Sequence, residues 1–181
     1  MNVLVPVTIR PLAGDDVARY HALRQRGLAE HPEAFTSSAE EEAAAPDKVA
    51  KRLTRDPHAP HDVVLGAFDG DTLVGVIGMS VDRRAKARHR GHVFGMYVTG
   101  ESARSGVGSK LVDALIAHAR RCDGLDALVL TVTAGNSSAR RLYERAGFTA
   151  FGCEPGAMRV AGRAYDKVHM IRWLATPALA S

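Results

Sequence analysis

The chain has 181 residues, 46% of them apolar and 24% charged, and 24 basic against 20 acidic side chains give it a net charge of +4. Such a composition excludes a disordered chain or a fibrous repeat, and at ~150 residues per domain the length predicts a single domain over residues 1–181. No apolar run approaches the ~18 residues of a membrane span, and residues 1–6 lack the basic and long apolar regions of a secretory signal, so a cytoplasmic protein with no membrane partner is expected.

Residues 7–10 predict a short strand stopped by Pro11. Gly14, Asp15 and Asp16 resemble a helix start with an acidic first turn. Val17, Tyr20, Leu23 and Leu28 then follow at helical spacing. After an irregular stretch at 31–38, residues 40–53 predict a second helix, broken internally by Pro46. Two β-branched runs, 63–68 and 72–81, flank the turn signal Asp69-Gly70-Asp71 and predict a hairpin. A basic connection over 83–90 leads to a strand at 92–98.

The clearest helix spans 105–121, where Val107, Leu111, Leu115 and Ala119 recur every four residues beside Val112 and Ile116. This is one apolar face at helical period. A strand over 125–132, a helix over 136–146 and strands at 148–154 and 164–174 complete the chain. Asn136 stands where a helix N-cap is expected and Gly147 where a C-terminal glycine is expected. The order predicts a mixed α/β (α+β) domain with hairpins in its middle and a βαβ unit from 92 to 132.

Two cysteines, Cys122 and Cys153, read as free thiols, and no Cys/His spacing points to a metal. The mild positive charge favours anionic partners. The chain carries no motif that reads nucleic acid, so none is expected as a partner.

The segment Ser102-Ala103-Arg104-Ser105-Gly106-Val107-Gly108-Ser109-Lys110 joins a strand to the amphipathic helix. Its glycines permit a tight turn and close approach of a ligand, and the free amides of the helix start suit a phosphate. A Walker loop requires Lys directly after Gly108, which is Ser109. A dinucleotide fingerprint requires glycine at Leu111. A pyrophosphate loop of the form Arg/Gln-x-x-Gly-x-Gly/Ala fits at Gly106 and Gly108, as does a plain glycine-bearing connection.

About thirty residues on come Asn136, Ala139, Leu142-Tyr143 and Gly147-Phe148. With the loop and the preceding Met96-Tyr97-Val98, this segment resembles the GNAT superfamily of acetyl-CoA-dependent N-acetyltransferases. The resemblance covers residues 62 to 174 and extends to Ile9-Arg10-Pro11 and the 31–42 stretch. It implies a central, mostly antiparallel mixed sheet flanked by helices. It implies acetyl-CoA as cosubstrate and no metal. The pyrophosphate would lie on Arg104, Ser105, Gly106, Val107, Gly108 and Ser109. The pantetheine arm would pair with the backbone of Met96, Tyr97 and Val98, and Asn136 would contact the cosubstrate. Tyr143 would stand near the sulfur as general acid, a role its reference pKa of ~10 suits. One departure is that the family's Arg or Gln falls on Ala103, with the arginine one place later at Arg104.

Phe35 and Ser37 lie where relatives build one wall of the acceptor site, and Phe94 stands where some relatives carry a catalytic carboxylate before a glycine. The general base is therefore open among Glu33, Glu40, Glu41, Glu42, His92, Asp166 and water, and binding of an already neutral amine would need none. His169 alternates with core positions and reads as packed. The expected activity is acetyl transfer to a primary amine of a small molecule or protein by direct attack, in a chain whose relatives are often homodimers. The alternative is a non-catalytic CoA-binding sensor or interaction protein.

Overall fold

The computed structural model describes residues 7–54 and 56–175, so the segment read for a secretory signal lies outside the described residues. In chain order the elements are β1 (Thr8–Pro11), α1 (Val17–Glu30), α2 (Ala39–Ala43), α3 (Pro46–Lys51), β2 (Val63–Asp69), β3 (Thr72–Val81), β4 (Arg90–Val98), α4 (Val107–Ala119), β5 (Ala127–Thr133), α5 (Ser137–Arg145), β6 (Thr149–Val160) and β7 (Arg163–Trp173). The strands form one seven-stranded sheet in the order β1-β2-β3-β4-β5-β7-β6. Every neighbouring pair is antiparallel except β4 and β5. This is the mixed, mostly antiparallel sheet that the motif resemblance implies.

Each sheet face carries its own core. On one face, Leu111, Val112, Leu115 and Ile116 of α4 pack against Ile77, Met79, Leu128 and Met170, with Tyr143 and Phe148 at the margin. On the other, Tyr20 and Leu23 of α1 and Val49 of α3 pack against Val64, Phe68, Val76 and Tyr97. The four-residue recurrence read in the sequence is thus the buried stripe of α4.

The boundaries differ where local chemistry overrides the apolar pattern. Gly14–Asp16 form a separate turn of 3-10 helix, and α1 begins at Val17. Pro46 begins α3 at a position where its missing N–H costs no hydrogen bond, so the predicted second helix is two short ones. The helix predicted from Ser105 starts at Val107, because Gly106 takes a left-handed φ of 83° as its N-cap. β6 runs on to Val160, six residues past its predicted end. That strand lies at the sheet edge with both faces largely exposed, so it carries no alternation to read.

Candidate active site

The sheet is not evenly paired at its centre. β4 and β5 share only the register Arg90↔Ala127, Gly91↔Leu128 and His92↔Val129, yet β4 continues to Val98 and β5 to Thr133. Past His92 the two parallel strands separate, and the side of β4 that faced β5 is left without a ladder partner. Unpaired backbone groups on a strand edge are what an extended arm adds to. On its other side β4 stays on β3, with one extra residue between Gly78↔Phe94 and Val76↔Tyr97. Gly95, with φ of 65°, takes up this bulge.

The loop into α4 lies at the end of β4. Arg104 has φ of 63° and Gly106 of 83°, both left-handed. The Ser105 hydroxyl donates to the Ser102 carbonyl at 2.6 Å. Lys110 makes the first bond of the helix, to the Gly106 carbonyl at 3.1 Å. The amides of Val107, Gly108 and Ser109 precede that bond and have no carbonyl to donate to, so they and the helix dipole favour an anion. The two glycines have different tasks. Gly106 provides the left-handed turn. A Cβ on Gly108 would lie 3.2 Å from Met96 Cε and 3.3 Å from Leu142 Cδ2, so its missing side chain lets α4 close on β4 and α5. For Gly108 the expectation of close approach to a ligand is joined by this packing reason.

Tyr97 turns its side chain away from the β4–β5 split. Its ring lies on Gly27, where a Cβ would sit 2.8 Å from Tyr97 Cγ, and its hydroxyl donates to Glu30 at 2.5 Å. Burial and the Glu30 carboxylate push its pKa up. Only its backbone is available to an arm along β4. Met96 packs toward α4, as the Gly108 contact shows.

The second motif is a capped helix. The Asn136 side chain accepts from the Ala139 amide at 3.0 Å. At the other end the Phe148 amide donates to the Tyr143 carbonyl at 3.0 Å and the Gly147 amide to the Glu144 carbonyl at 3.0 Å. With Gly147 at φ of 84° this is a Schellman cap. Its apolar contact is the Tyr143–Phe148 pair, edge to face with centroids 5.6 Å apart. Tyr143 is buried, and burial alone pushes its hydroxyl pKa well above the usual range. The phenol is protonated at neutral pH and able to donate.

A cavity of about 950 Å³ opens on the α1 face where β4 and β5 part. Phe35, Ser37 and Phe94, expected at the acceptor side, all line it. Phe94 has room because Gly78 lies under its ring, where a Cβ would be 2.4 Å away. The loop into α4, Asn136 and Tyr143 are not part of this lining. The sequence reading missed Arg24, Arg52 and Lys167, which line it as well. Arg24 Nε donates to Glu42 at 3.1 Å and its Nη2 makes a second, shorter bond to that carboxylate, while Arg52 reaches Glu42 at 3.2 Å. The available signal for Arg24 was a charge on the apolar stripe of α1, between Leu23 and Gly27.

Of the candidate bases, His92 lines the cavity. The two arginines hold Glu42 against its own burial and leave its pKa below the usual carboxylate range. Glu41 accepts from the Ser38 amide at 2.8 Å as half of a capping box. Asp166 accepts from the Gly156 amide at 2.8 Å. Glu40 is exposed and Glu33 is half-buried. His169, read as packed, instead lies half-buried and 3.1 Å from Glu154, because Val168 and Met170 take the core-facing positions of β7. Among the described residues no cluster of His, Cys, Asp and Glu could hold a metal ion, and no helix is long and apolar enough to cross a membrane.

Split parallel strands, a glycine loop at a helix start and a capped tyrosine helix define an acyltransferase-like frame, and comparison with known proteins gives its family. The profile of the acetyltransferase (GNAT) family matches residues 21–148. The chain belongs to the GNAT acetyltransferase family.

Among curated proteins it is 30% identical over 142 residues to a mycothiol acetyltransferase of Propionibacterium freudenreichii subsp. shermanii, covering 78% of this chain and 43% of that protein. It is 33% identical over 139 residues to that of Thermobispora bispora, covering 75% and 44%. The chain thus spans less than half the length of these relatives. Among solved structures, a GNAT-family acetyltransferase of Streptococcus pneumoniae superposes with a TM-score of 0.83 at 22% identity, covering 94% of this chain and all of that one. A Salmonella typhimurium structure with its cofactor acetyl-CoA gives 0.78 at 22% identity, covering 97% and 98%. These likenesses establish the fold.

Proposed function

We propose that this chain transfers acetyl from acetyl-CoA to a primary amine by direct attack, without a covalent enzyme intermediate. The observation that carries the reading is the parting of β4 from β5 after His92, which leaves a free strand edge between the α4 amides and the cavity. The residues present fit the cosubstrate. Val107, Gly108 and Ser109 offer amides to a pyrophosphate, and the β4 edge offers backbone groups to an amide-bearing arm.

Acetyl-CoA supplies an activated thioester. The amine enters neutral on the cavity side, its nitrogen bonds to the acetyl carbon, and the carbon–sulfur bond breaks. The sulfur needs a proton, which Tyr143 would donate, and the nitrogen loses one to water or to a base on the cavity side. A buried phenol suits this donor role because it stays protonated. Free amides on the β4 edge would stabilise charge on the acetyl oxygen.

The test is thiol release from acetyl-CoA with a panel of amines, with initial rates at varied concentrations of both substrates. Intersecting reciprocal plots support direct attack. Parallel plots would show a covalent intermediate and overturn that part of the reading. Absence of turnover with every amine would favour a CoA-binding sensor.

A further inference from the structure

Among the described residues the cavity is lined by five cationic side chains, Arg24, Lys51, Arg52, Arg83 and Lys167, against two carboxylates, Asp56 and Asp62. Both carboxylates are already engaged, Asp56 by Arg83 and Asp62 by the Val81 amide at 2.8 Å. Behind the cavity, Glu42 is shared by Arg24 and Arg52.

Lys167 differs from the rest. It is 6% exposed, and among the described residues its ammonium meets only neutral oxygens. Nζ donates to Thr133 Oγ1 at 3.0 Å and approaches the Ala34 carbonyl at 3.4 Å. The Thr133 hydroxyl is itself committed to the Glu33 carbonyl at 2.6 Å. Tying down the 33–35 segment requires a donor, not a charge. A buried charge without a counter-charge is costly, and the penalty is relieved when an anion arrives.

Arg24 reaches the same segment, with its Cζ 5.1 Å from the Phe35 ring centroid. Its Nε and Nη2 are taken by Glu42, whereas Nη1 lies beside the β4 bulge, 3.2 Å from where a Cβ of Gly95 would be. Two buried cations therefore flank residues 34 and 35 next to the free edge of β4, with Phe35 and Phe94 as apolar walls.

We infer that the amine acceptor carries a carboxylate close to its amino group, received by Lys167 and the Nη1 edge of Arg24, and that it is a free α-amino acid with an apolar side chain. The inference rests on the amine-acetylation reading and narrows its acceptor. A small molecule is favoured over a protein N-terminus because a peptide has no carboxylate next to its α-amine.

The experiment compares leucine, leucinamide and a leucine-initiated tripeptide as acceptors, with thiol release as readout, in the wild-type protein and in Lys167→Met. Leucine is expected to exceed leucinamide and the tripeptide in kcat/KM by at least about tenfold, the scale of a charge-assisted contact. Lys167→Met is expected to lose about that factor on leucine, mainly in KM, with less than threefold change on leucinamide. A merely structural lysine would lower both substrates together. Equal or better turnover of leucinamide or of the tripeptide by the wild-type protein would overturn the proposal, and this arm needs no variant to fold.

A second arm uses no acetyl-CoA. N-acetyl-leucine is titrated against N-acetyl-leucinamide by calorimetry, with the wild-type protein and with Lys167→Met. Tighter binding of the carboxylate, lost in the variant, is expected; indifference to the carboxylate would overturn the site. If acetyl-CoA fails to bind or no amine is turned over, the acetylation reading falls, and this arm still decides whether the cavity selects a carboxylate.

Discussion

The Phe148 amide donates to the Tyr143 carbonyl at 3.0 Å, and the two rings meet edge to face at 5.6 Å. One pair of residues thus closes the C-terminus of α5 and fixes the tyrosine assigned as proton donor. The Leu-Tyr and Gly-Phe elements of the motif are parts of one local device. Gly147 turns the chain, Phe148 covers the cap, and Tyr143 is held from both its backbone and its ring. Replacing Tyr143 with Phe keeps the cap and the ring packing and removes only the hydroxyl. Turnover is expected to fall about 10²-fold, the lower range for a general acid, with acetyl-CoA affinity changed less than threefold. Steady-state kinetics together with calorimetry check this.

Gly147→Ala tests the cap itself. The left-handed φ of 84° is strained for alanine, and the new Cβ would fall 2.0 Å from Arg172 Nη1, which donates to the Ala146 carbonyl. A loss of about 1–2 kcal/mol in unfolding free energy is expected from the backbone alone. Turnover should fall with it as Tyr143 shifts. Urea unfolding monitored by circular dichroism measures the first effect.

Glu42→Gln addresses the buried charge cluster. The substitution leaves Arg24, itself 5% exposed, beside Arg52 with no carboxylate between them. Breaking such a pair costs about 3 kcal/mol, and the partial exposure of Arg52 keeps the loss at the low end of what is seen for buried pairs. A shift of the unfolding midpoint reports it. A neutral outcome would mean that water already solvates the arginines.

Acid stability follows from Asp16. Its carboxylate accepts from Arg10 at 2.7 and 2.8 Å and from the Ala13 amide at 3.0 Å. The bonds to Arg10 lead in bringing its pKa down to about 2. The folded value lies below the unfolded reference of ~3.9. Its contribution is therefore complete above about pH 4 and is lost as the pH falls from there towards 2. Half-exposed Arg10 is screened by solvent, so the contribution is about 1–2 kcal/mol. The difference in stability between wild-type and Asp16→Asn proteins should be constant from pH 5 to 7 and shrink between pH 4 and 2.

The elements with one buried face were legible in the sequence. The stripe of α4 and the β2–β3 hairpin rest on apolar period and on Gly70, whose φ of 57° fits the turn. The far end of β6 was not, because an edge strand exposed on both faces has no period. On the cosubstrate side the motifs were legible because local caps and left-handed turns are written in consecutive residues. On the cavity side Phe35, Ser37 and Phe94 were named from the sequence, but the cations that line the cavity with them were not. Arg24, Glu42, Arg52 and Lys167 come from α1, α2, the turn after α3, and β7. Nothing in their local spacing records that the fold gathers them around one cavity.

Acetyl-CoA is expected to lie in the split between β4 and β5, with the α4 amides at its end. The most direct measurement is calorimetric titration of the purified protein with acetyl-CoA, with CoA and ATP as controls, repeated with Gly106→Ala. Saturable binding of acetyl-CoA and no binding of ATP are expected, with affinity reduced in the variant because alanine resists the φ of 83° that aims the loop amides. Absence of acetyl-CoA binding to the wild-type protein would contradict the account.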